Sequence, residues 1–248
     1  MKKRLLILGM IFTMAVSSAG CGSSSSDNSG KTDQTKQTAN VQDSQKDESS
    51  DSKSDNDKKD ATYKSADEIT MDDLMSHDET PAEDFEFNDS ADEIVIQKYV
   101  GKDPIVVIPD EIDGKKVVGF ESAFTLNNNI VAVKIGNNVQ EVEKSAFSGC
   151  KQLKYVVMGD SVKTIGGRMF AQTNLQELVL NDGLQKIGQD DSNNVLAPPS
   201  SNCGMDLKIP ESVTELHVSE FNLIGKSGSY AEQYANEHAD AGVTFTAE

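Results

Sequence analysis

Three short words recur in this chain at a fixed interval: Ser122-Ala123-Phe124, Ser145-Ala146-Phe147 and Arg168-Met169-Phe170 place their phenylalanines 23 residues apart. A fixed period of this length means stacked copies of one unit. Each unit opens with apolar residues alternating as in a short strand, as in Val133 and Ile135, Val156 and Met158, Leu178 and Leu180. One unit alone has no closed core. Its apolar side is buried only by the units before and after it, so the period predicts a quasi-linear solenoid, an architecture suited to binding rather than to chemistry.

The units can be followed in register. The first runs from Ile105 to Asn129 with Val106, Ile108, Ile112, Val117, Val118, Ala123 and Phe124 inward. The second, Ile130 to Gln152, turns Val133, Ile135, Val139, Val142, Ala146, Phe147 and Cys150 inward, and the third, Leu153 to Asn174, does so with Val156, Met158, Val162, Ile165, Met169 and Phe170. A fourth begins at Leu175, Leu178, Leu180, Leu184 and Ile187, then departs from the pattern at Asp190-Asp191-Ser192-Asn193-Asn194 and Pro198-Pro199-Ser200-Ser201, so an insertion is expected to bulge from the stack. Leu207-Lys208-Ile209-Pro210 and then Val213, Leu216 and Val218 resume it.

Before the first unit, Phe85 and Phe87 alternate with polar residues, Asn88-Asp89-Ser90 supplies turn chemistry, and Ile94, Ile96 and Lys98-Tyr99 alternate again. This is a β-hairpin signature. It is expected to cover the first open edge of the solenoid, since uncovered strand edges invite edge-to-edge association.

The chain's start reads as an export address. Lys2, Lys3 and Arg4 precede an apolar run from Leu5 to Val16, and Ser18-Ala19-Gly20 leads to Cys21. The pattern is that of a secretory signal over residues 1–20, too short for a membrane span. From Gly22 to Asp60 the composition is Ser, Asp, Lys, Asn, Gln and Thr, with Val41 the one large apolar residue. Such a stretch cannot offset its ordering entropy, and residues 21–84 are read as a disordered acidic tether ahead of a folded domain at 85–248. Within it, Ser65 to Met75 has the apolar members Ile69, Leu74 and Met75 of a short helix, but Pro81 and its acidic neighbours argue for linker. Residues 22–84 hold 17 acidic and 7 basic residues, more than half of the net charge of −18. With no basic stripe to displace counterions, a nucleic-acid partner is excluded. The Asp67 to Asp84 segment reads as a solvated spacer rather than a cation site.

Taken together these motifs carry a resemblance. Ile-Pro or Ile-Gly followed by Val, then Ala146-Phe147-Ser148-Gly149-Cys150-Lys151-Gln152-Leu153, is similar to the BspA-like, or treponemal-type, leucine-rich repeat. Ile94 through Val117 resembles the hairpin that introduces such arrays, and Gly228 to Glu237 with Val243-Thr244-Phe245 resembles their closing helix and strand. The resemblance implies a mainly β, α+β solenoid: a leucine-rich repeat array with an N-terminal β-hairpin cap and a C-terminal cap of a short helix plus a strand. It implies a surface protein associated with adhesion and protein recognition, and it implies no reaction. The residues before Cys21 resemble the lipobox of bacterial lipoproteins, in which the cysteine is lipidated and becomes the first residue of the mature chain. Acyl chains hold a protein at a membrane by about 0.8 kcal/mol per buried methylene. The expected localisation is therefore the extracellular face of a bacterial cell membrane. Gly22, Ser23 and the tether's length fit a Gram-positive envelope.

No catalytic constellation is present. His77, His217 and His238 lack ligand spacing and a nucleophile motif, and read as surface or capping residues; no cofactor or metal is expected. Gly166-Gly167 reads as a tight turn, and Asp190 to Asn194 as a solvated loop rather than a calcium site. Cys150 and Cys203 fall two strands apart by register, near 10 Å, too far for a disulfide. If the solenoid binds a partner, stacking lines the residues between inward positions into one face: Lys134, Tyr155, Val157, Glu177, Val179 and Lys208, with Tyr155 as the aromatic anchor. The expected partner is an extracellular or cell-surface protein. The alternative is a cell-envelope component binding glycan or peptidoglycan, against which the scarcity of aromatics and the absence of Trp count.

Overall fold

The structure is a computed structural model and describes residues 63–90, 92–188 and 196–248. Cys21, the signal segment, the tether up to residue 62 and the Asp190–Asn194 loop lie outside the described residues.

In chain order the elements are α1 (Met71–Ser76), β1 (Phe85–Asp89), β2 (Glu93–Tyr99), β3 (Ile105–Val107), β4 (Glu111–Ile112), β5 (Lys115–Phe120), β6 (Ala132–Lys134), β7 (Glu141–Val142), β8 (Tyr155–Val157), β9 (Thr164–Ile165), β10 (Glu177–Val179), β11 (Lys186–Ile187), β12 (Met205–Lys208), β13 (Glu215–Leu216), β14 (Phe221–Gly225), α2 (Tyr230–Glu237) and β15 (Thr244–Ala247).

Repetition in sequence becomes two parallel ladders. The first orders its strands β10-β8-β6-β3 and the second β13-β11-β9-β7. Every strand of the first keeps the same register, Val106 beside Val133, Val133 beside Val156, Val156 beside Leu178. In the second, Val142, Ile165, Ile187 and Leu216 stand side by side. Strand residues alternate between faces, so one residue in two of each short strand enters the space between the ladders. That space is filled by the recurring phenylalanines. Phe124 and Phe147 have ring centroids 5.5 Å apart, and Phe147 and Phe170 lie 6.4 Å apart with planes 6° from parallel. All three are fully buried. The sequence-derived inward set is buried throughout, save that Val118 is half-exposed while Val117 takes the inward place, and Leu180 is only partly buried.

The coil also repeats at its corners. Ser122, Ser145 and Arg168, each just before an Ala-Phe or Met-Phe pair, have φ of 52°, 60° and 53°, and four residues on Leu126, Gly149 and Gln172 have φ of 61°, 79° and 59°. A non-glycine residue there costs of order 1 kcal/mol. Hydrogen bonds to the next coil hold the corners: Leu126 N–H donates to Ser148 O at 2.9 Å, Ser145 N–H to Gly167 O at 3.1 Å and Gly149 N–H to Ala171 O at 2.8 Å. Along another edge, side chains run from coil to coil, with Asp110 accepting from Asn137 N–H at 2.5 Å, Asn137 Oδ1 from Asp160 N–H at 3.1 Å, and Asn181 Nδ2 donating to Asp160 O at 3.0 Å.

Gly166 differs from the expected turn role. Its φ is not positive; instead a Cβ there would fall on the Lys144 backbone of the preceding coil. Close coil-to-coil approach, not left-handed geometry, is the reason for glycine. Cys150 is buried and its thiol donates to Phe124 O at 2.8 Å, Cys203 is exposed, and the two are unpaired. Burial pushes the Cys150 thiol up to about 11.

The predicted hairpin forms. β1 and β2 pair antiparallel, but β2 then pairs parallel with β5, giving the order β1-β2-β5-β4. The hairpin thus extends the sheet of β4 and β5 and leaves the outer edge of β3 to another segment. At the far end β12, β14 and β15 make a parallel sheet, with α2 between β14 and β15 in sequence. Tyr234 of α2 anchors this cap: Val218 N–H donates to its hydroxyl oxygen at 3.0 Å and the hydroxyl donates to Val218 O at 3.1 Å.

Candidate functional site

The sheet β10-β8-β6-β3 turns two residues of each strand outward. One row is Ile105, Ala132, Tyr155 and Glu177; the other is Val107, Lys134, Val157 and Val179. This is the face read from the sequence as a binding surface. Half of it is covered by the chain's own preceding segment.

Tyr63 to Thr80, expected as tether, forms an ordered strap. Its helix α1 starts from a capping box in which Asp73 N–H donates to Thr70 Oγ1 at 3.3 Å and Thr70 N–H to Asp73 Oδ2 at 3.0 Å, the reciprocal arrangement that satisfies first-turn donors. Lys64 adds an ion pair to Asp73 at 2.6 Å. These partners, Lys64 foremost and then Thr70, hold the Asp73 carboxyl below its ordinary value, and a hydrogen bond from the Ser65 hydroxyl does the same for Glu68. Leu74 and Ile69 are buried against Ile105, Val107, Val131, Ala132 and Val157, with Ala66, Met71 and Tyr155 at the margin. A helix of six residues is not stable alone, so this apolar contact is what forms it.

Two polar contacts fasten the strap. Thr80 meets the outer edge of β3: its N–H donates to Val107 O at 2.9 Å and its Oγ1 accepts from Val107 N–H at 2.9 Å. Lys154, nearly buried at the start of β8, donates through Nζ to Ala66 O at 2.8 Å and to the Asp67 carboxylate at 3.1 Å. A buried cation needs such partners, and here both come from the strap.

The sequence-predicted face is therefore divided. Val157 is buried beneath the strap, and Tyr155 is half-buried beside it, its hydroxyl 3.4 Å from Gln176 Oε1. Lys134 is half-buried. Glu177, Val179 and Lys208 are exposed, Lys208 in an ion pair with Glu248 at 2.7 Å. The period-two reading of which way these side chains point holds for the strand residues; exposure does not follow from it, because a distant segment lies on top.

Beyond β10 the face breaks. β12 lies beside it but belongs to another sheet, and between them is a cleft of about 700 Å³ lined by Glu177, Leu180, Asp182, Met205, Asp206 and Lys208, among others. One end is pinned where Asn202 Nδ2 donates to Leu175 O at 3.1 Å. Asn181, between Leu180 and Asp182, has the one buried side-chain polar atom without a hydrogen bond among the described residues, its Oδ1. Lys154, Thr80 and the carboxylates of Asp182 and Asp206 were not singled out by sequence reasoning; the readable signs of the strap were the apolar Ile69 and Leu74 and the Thr70-x-x-Asp73 capping pattern.

The three histidines do not meet. His77 Nε2 lies 3.3 Å from Asp103 Oδ2, His217 Nε2 3.5 Å from Glu215 Oε1, and His238 stacks on Tyr234 with centroids 3.9 Å apart. No group of three or more metal-ligating side chains occurs among the described residues, and none of their helices is long and apolar enough to cross a membrane.

Stacked parallel coils with an apolar ladder between two columns of short strands define a leucine-rich repeat solenoid. Residues 120–195 match the family model described as BspA type leucine rich repeat region, in six copies. Among solved structures, the crystal structure of the T. pallidum leucine rich repeat protein TpLRR is similar at 31% sequence identity, covering 59% of this chain and 71% of that one, with a TM-score of 0.49. No curated protein matches. The chain belongs to the BspA-type leucine-rich repeat family. Repeats of this kind generally build protein-interaction modules rather than catalytic centres.

Proposed function

We propose that this is a lipid-anchored bacterial surface protein, held by acylated Cys21 on the extracellular face of the membrane, that recognises another protein without catalysis, in adhesion or a neighbouring role. The observation that carries the reading is the unequal sheet face: α1 and Thr80 occupy its β3 and β6 side, while Glu177, Val179 and Lys208 stay open beside a cleft. Interfaces are built around an apolar centre rimmed by polar groups, and Val179 with Glu177 and Lys208 around it has that composition. The anchor of the contact therefore shifts from Tyr155, half-covered by the strap, to Val179. The export signal and the Ser/Asp/Lys-rich spacer support a surface location, with a Gram-positive envelope favoured by the spacer's length.

The test is binding of the mature chain to immobilised extracellular-matrix proteins, bacterial surface proteins and cell-wall glycans. Saturable binding to a protein that Val179→Arg abolishes is the expected result. Binding confined to glycans refutes the protein-recognition reading. Replacing Cys21 by Ala is expected to release the protein into the medium; retention at the membrane refutes the anchor.

A further inference from the structure

The strap covers one half of a sheet face whose other half continues past β10. β10 and β12 lie side by side in separate sheets, so their outward residues form one surface across the cleft. In β10 these are Glu177 and Val179. In the next sheet the register sets Asp206, Asn222 and Thr244 in one row and Lys208, Ile224 and Thr246 in another. Val179 and Ile224 both line the cleft, the first exposed and the second half-exposed, and give the surface an apolar centre. Leu178 is buried and β12 closes in beside it, so recognition here runs through side chains on the face and not through the strand edge.

The polar part of this surface is fixed in advance. Asn222 Nδ2 donates to Asp206 Oδ1 at 2.6 Å, and the hydroxyls of Thr244 and Thr246 donate to Asn222 Oδ1 at 3.0 and 3.2 Å. Such preorganisation lowers the cost of binding. Charge then selects the occupant. Glu177, Asp182 and Asp206 stand exposed around the cleft, and its one lining cation, Lys208, is paired with Glu248 at 2.7 Å. The strap adds exposed Glu68, Asp72, Asp78 and Glu79, while Lys64 is paired with Asp73 at 2.6 Å and Lys154 with Asp67 at 3.1 Å. The other ladder is nearly balanced: its outward row is Glu141, Thr164, Lys186 and Glu215, with Lys186 paired to Glu215 at 2.7 Å and Lys163 exposed beside Thr164. The excess of carboxylates is thus concentrated on the face that carries the apolar centre. Like charge disfavours a second copy of this face as its occupant, and the chain's own acidic tether as well.

We propose that the uncovered sheet face over β10, β12, β14 and β15 docks a basic patch of a partner protein, whose lysine or arginine side chains lay their aliphatic stems on Val179 and Ile224 and bring their charges to Glu177, Asp182 and Asp206. Long cationic side chains cover apolar surface in this way while their heads stay among polar groups. The proposal rests on the protein-recognition reading above and names the charge of its partner.

The probe is reduced cytochrome c, a small protein with a lysine-rich surface, titrated into the mature chain at low ionic strength and followed by backbone amide chemical shifts. Cytochrome c acetylated at its lysines is the uncharged comparison. Two double variants with the same net charge are compared, Glu177→Lys/Asp206→Lys on the proposed face and Glu141→Lys/Glu143→Lys on the other; all four sites are exposed, and folding is checked by thermal melting. Expected are saturable shifts at Glu177, Val179, Asp206 and Asn222 but not at Thr164 or Lys186, and loss of binding with the acetylated protein. The Glu177/Asp206 variant is expected to weaken binding about tenfold or more and the Glu141/Glu143 variant by less than about threefold. Absence of saturable binding, shifts spread over both ladders, or equal weakening by the two variants overturns the proposal, the last because net charge and not this face would then hold the probe. An array-identified partner that is lost with Val179→Arg but indifferent to Glu177→Lys/Asp206→Lys removes the basic-partner proposal and leaves the recognition reading standing; indifference to both removes both.

Discussion

Leu74→Ala isolates the energetic role of the strap. Leu74 is fully buried in a small cluster with Ile69, Ile105, Val107, Val131, Ala132 and Val157, separate from the main core that holds the phenylalanines. Truncating a buried leucine to alanine costs about 2–5 kcal/mol, the lost transfer of the side chain plus the cavity it leaves. The strap has one other fully covered aliphatic anchor, Ile69, together with the Lys154 and Thr80 contacts, so a loss of this size is a large part of what holds it down. Each 1.4 kcal/mol is about tenfold in an equilibrium constant, which makes strap opening roughly 30- to 4,000-fold more frequent. Native-state hydrogen exchange reads this directly. The amides of His77, bonded to Leu74 O at 3.3 Å, and of Thr80, bonded to Val107 O at 2.9 Å, are expected to exchange faster by about that factor. Val162, whose amide is bonded to Gly159 O inside the stack, is expected to change by less than about threefold. Equal acceleration of all three amides would refute the reasoning, because the strap would then be part of the cooperative core rather than a layer laid on it. No acceleration at His77 and Thr80 would refute the docking itself.

Phe147→Ala removes the middle ring of the ladder and is expected to lower stability by about 3–5 kcal/mol in denaturant unfolding, since the cavity is walled by the rings of Phe124, Phe170 and Phe120; a change below about 1 kcal/mol contradicts the stacked core. Gly159→Ala places a methyl group on Gly136 O and is expected to destabilise by about 1–3 kcal/mol, whereas Gly119→Ala meets nothing within 4 Å and is expected to be neutral or slightly stabilising, as thermal melting of the two variants will tell. Cys203 is expected to be alkylated in the native chain and Cys150 spared; because the Cys150 thiol has an ordinary value of 9.0 and is raised by burial to about 11, its contribution is fully present below pH 9 and is lost as pH rises from 9 toward 11, so alkylation of Cys150 at neutral pH would contradict its place in the core. Glu68 and Asp73 are held below ordinary values of 4.5 and 3.8, so their support of the strap is complete above about pH 4.5 and is lost as pH falls through their lowered values; cleavage of the strap by an acid protease is expected to rise below that pH but not between pH 5 and 7.

The repeat was legible in the sequence because it is local. The 23-residue interval and the two-residue alternation place Val106, Val133, Val156 and Leu178 on one buried row, and stacking makes each residue's environment a copy of its neighbour's. Cys150 follows from the same register, as does the hairpin from its alternation and turn residues. The strap was not legible, because a six-residue helix with two apolar anchors in an acidic stretch has too little periodicity to distinguish from a spacer, and what orders it lies far along the chain: Lys154 is 88 residues from Ala66. For the same reason Val157 points outward as the alternation requires and is nevertheless buried. The break between β10 and β12 depends on how the chain from Asp182 to Gly204 returns to the stack, and no residue pattern in that stretch states whether the next strand will pair.

If recognition runs through the uncovered half of the sheet face, two exposed apolar side chains on different parts of the coil must behave differently. Val179 lies on that face; Leu126 is 67% exposed at a left-handed corner beside Gly149, away from the strand row. The decisive measurement is the affinity of the protein partner found by array binding for the Val179→Arg and Leu126→Arg forms of the mature chain. Loss of about tenfold or more with Val179→Arg and little change with Leu126→Arg is the expected result; the reverse order would place recognition on the corners of the coil and contradict the assignment of the sheet face.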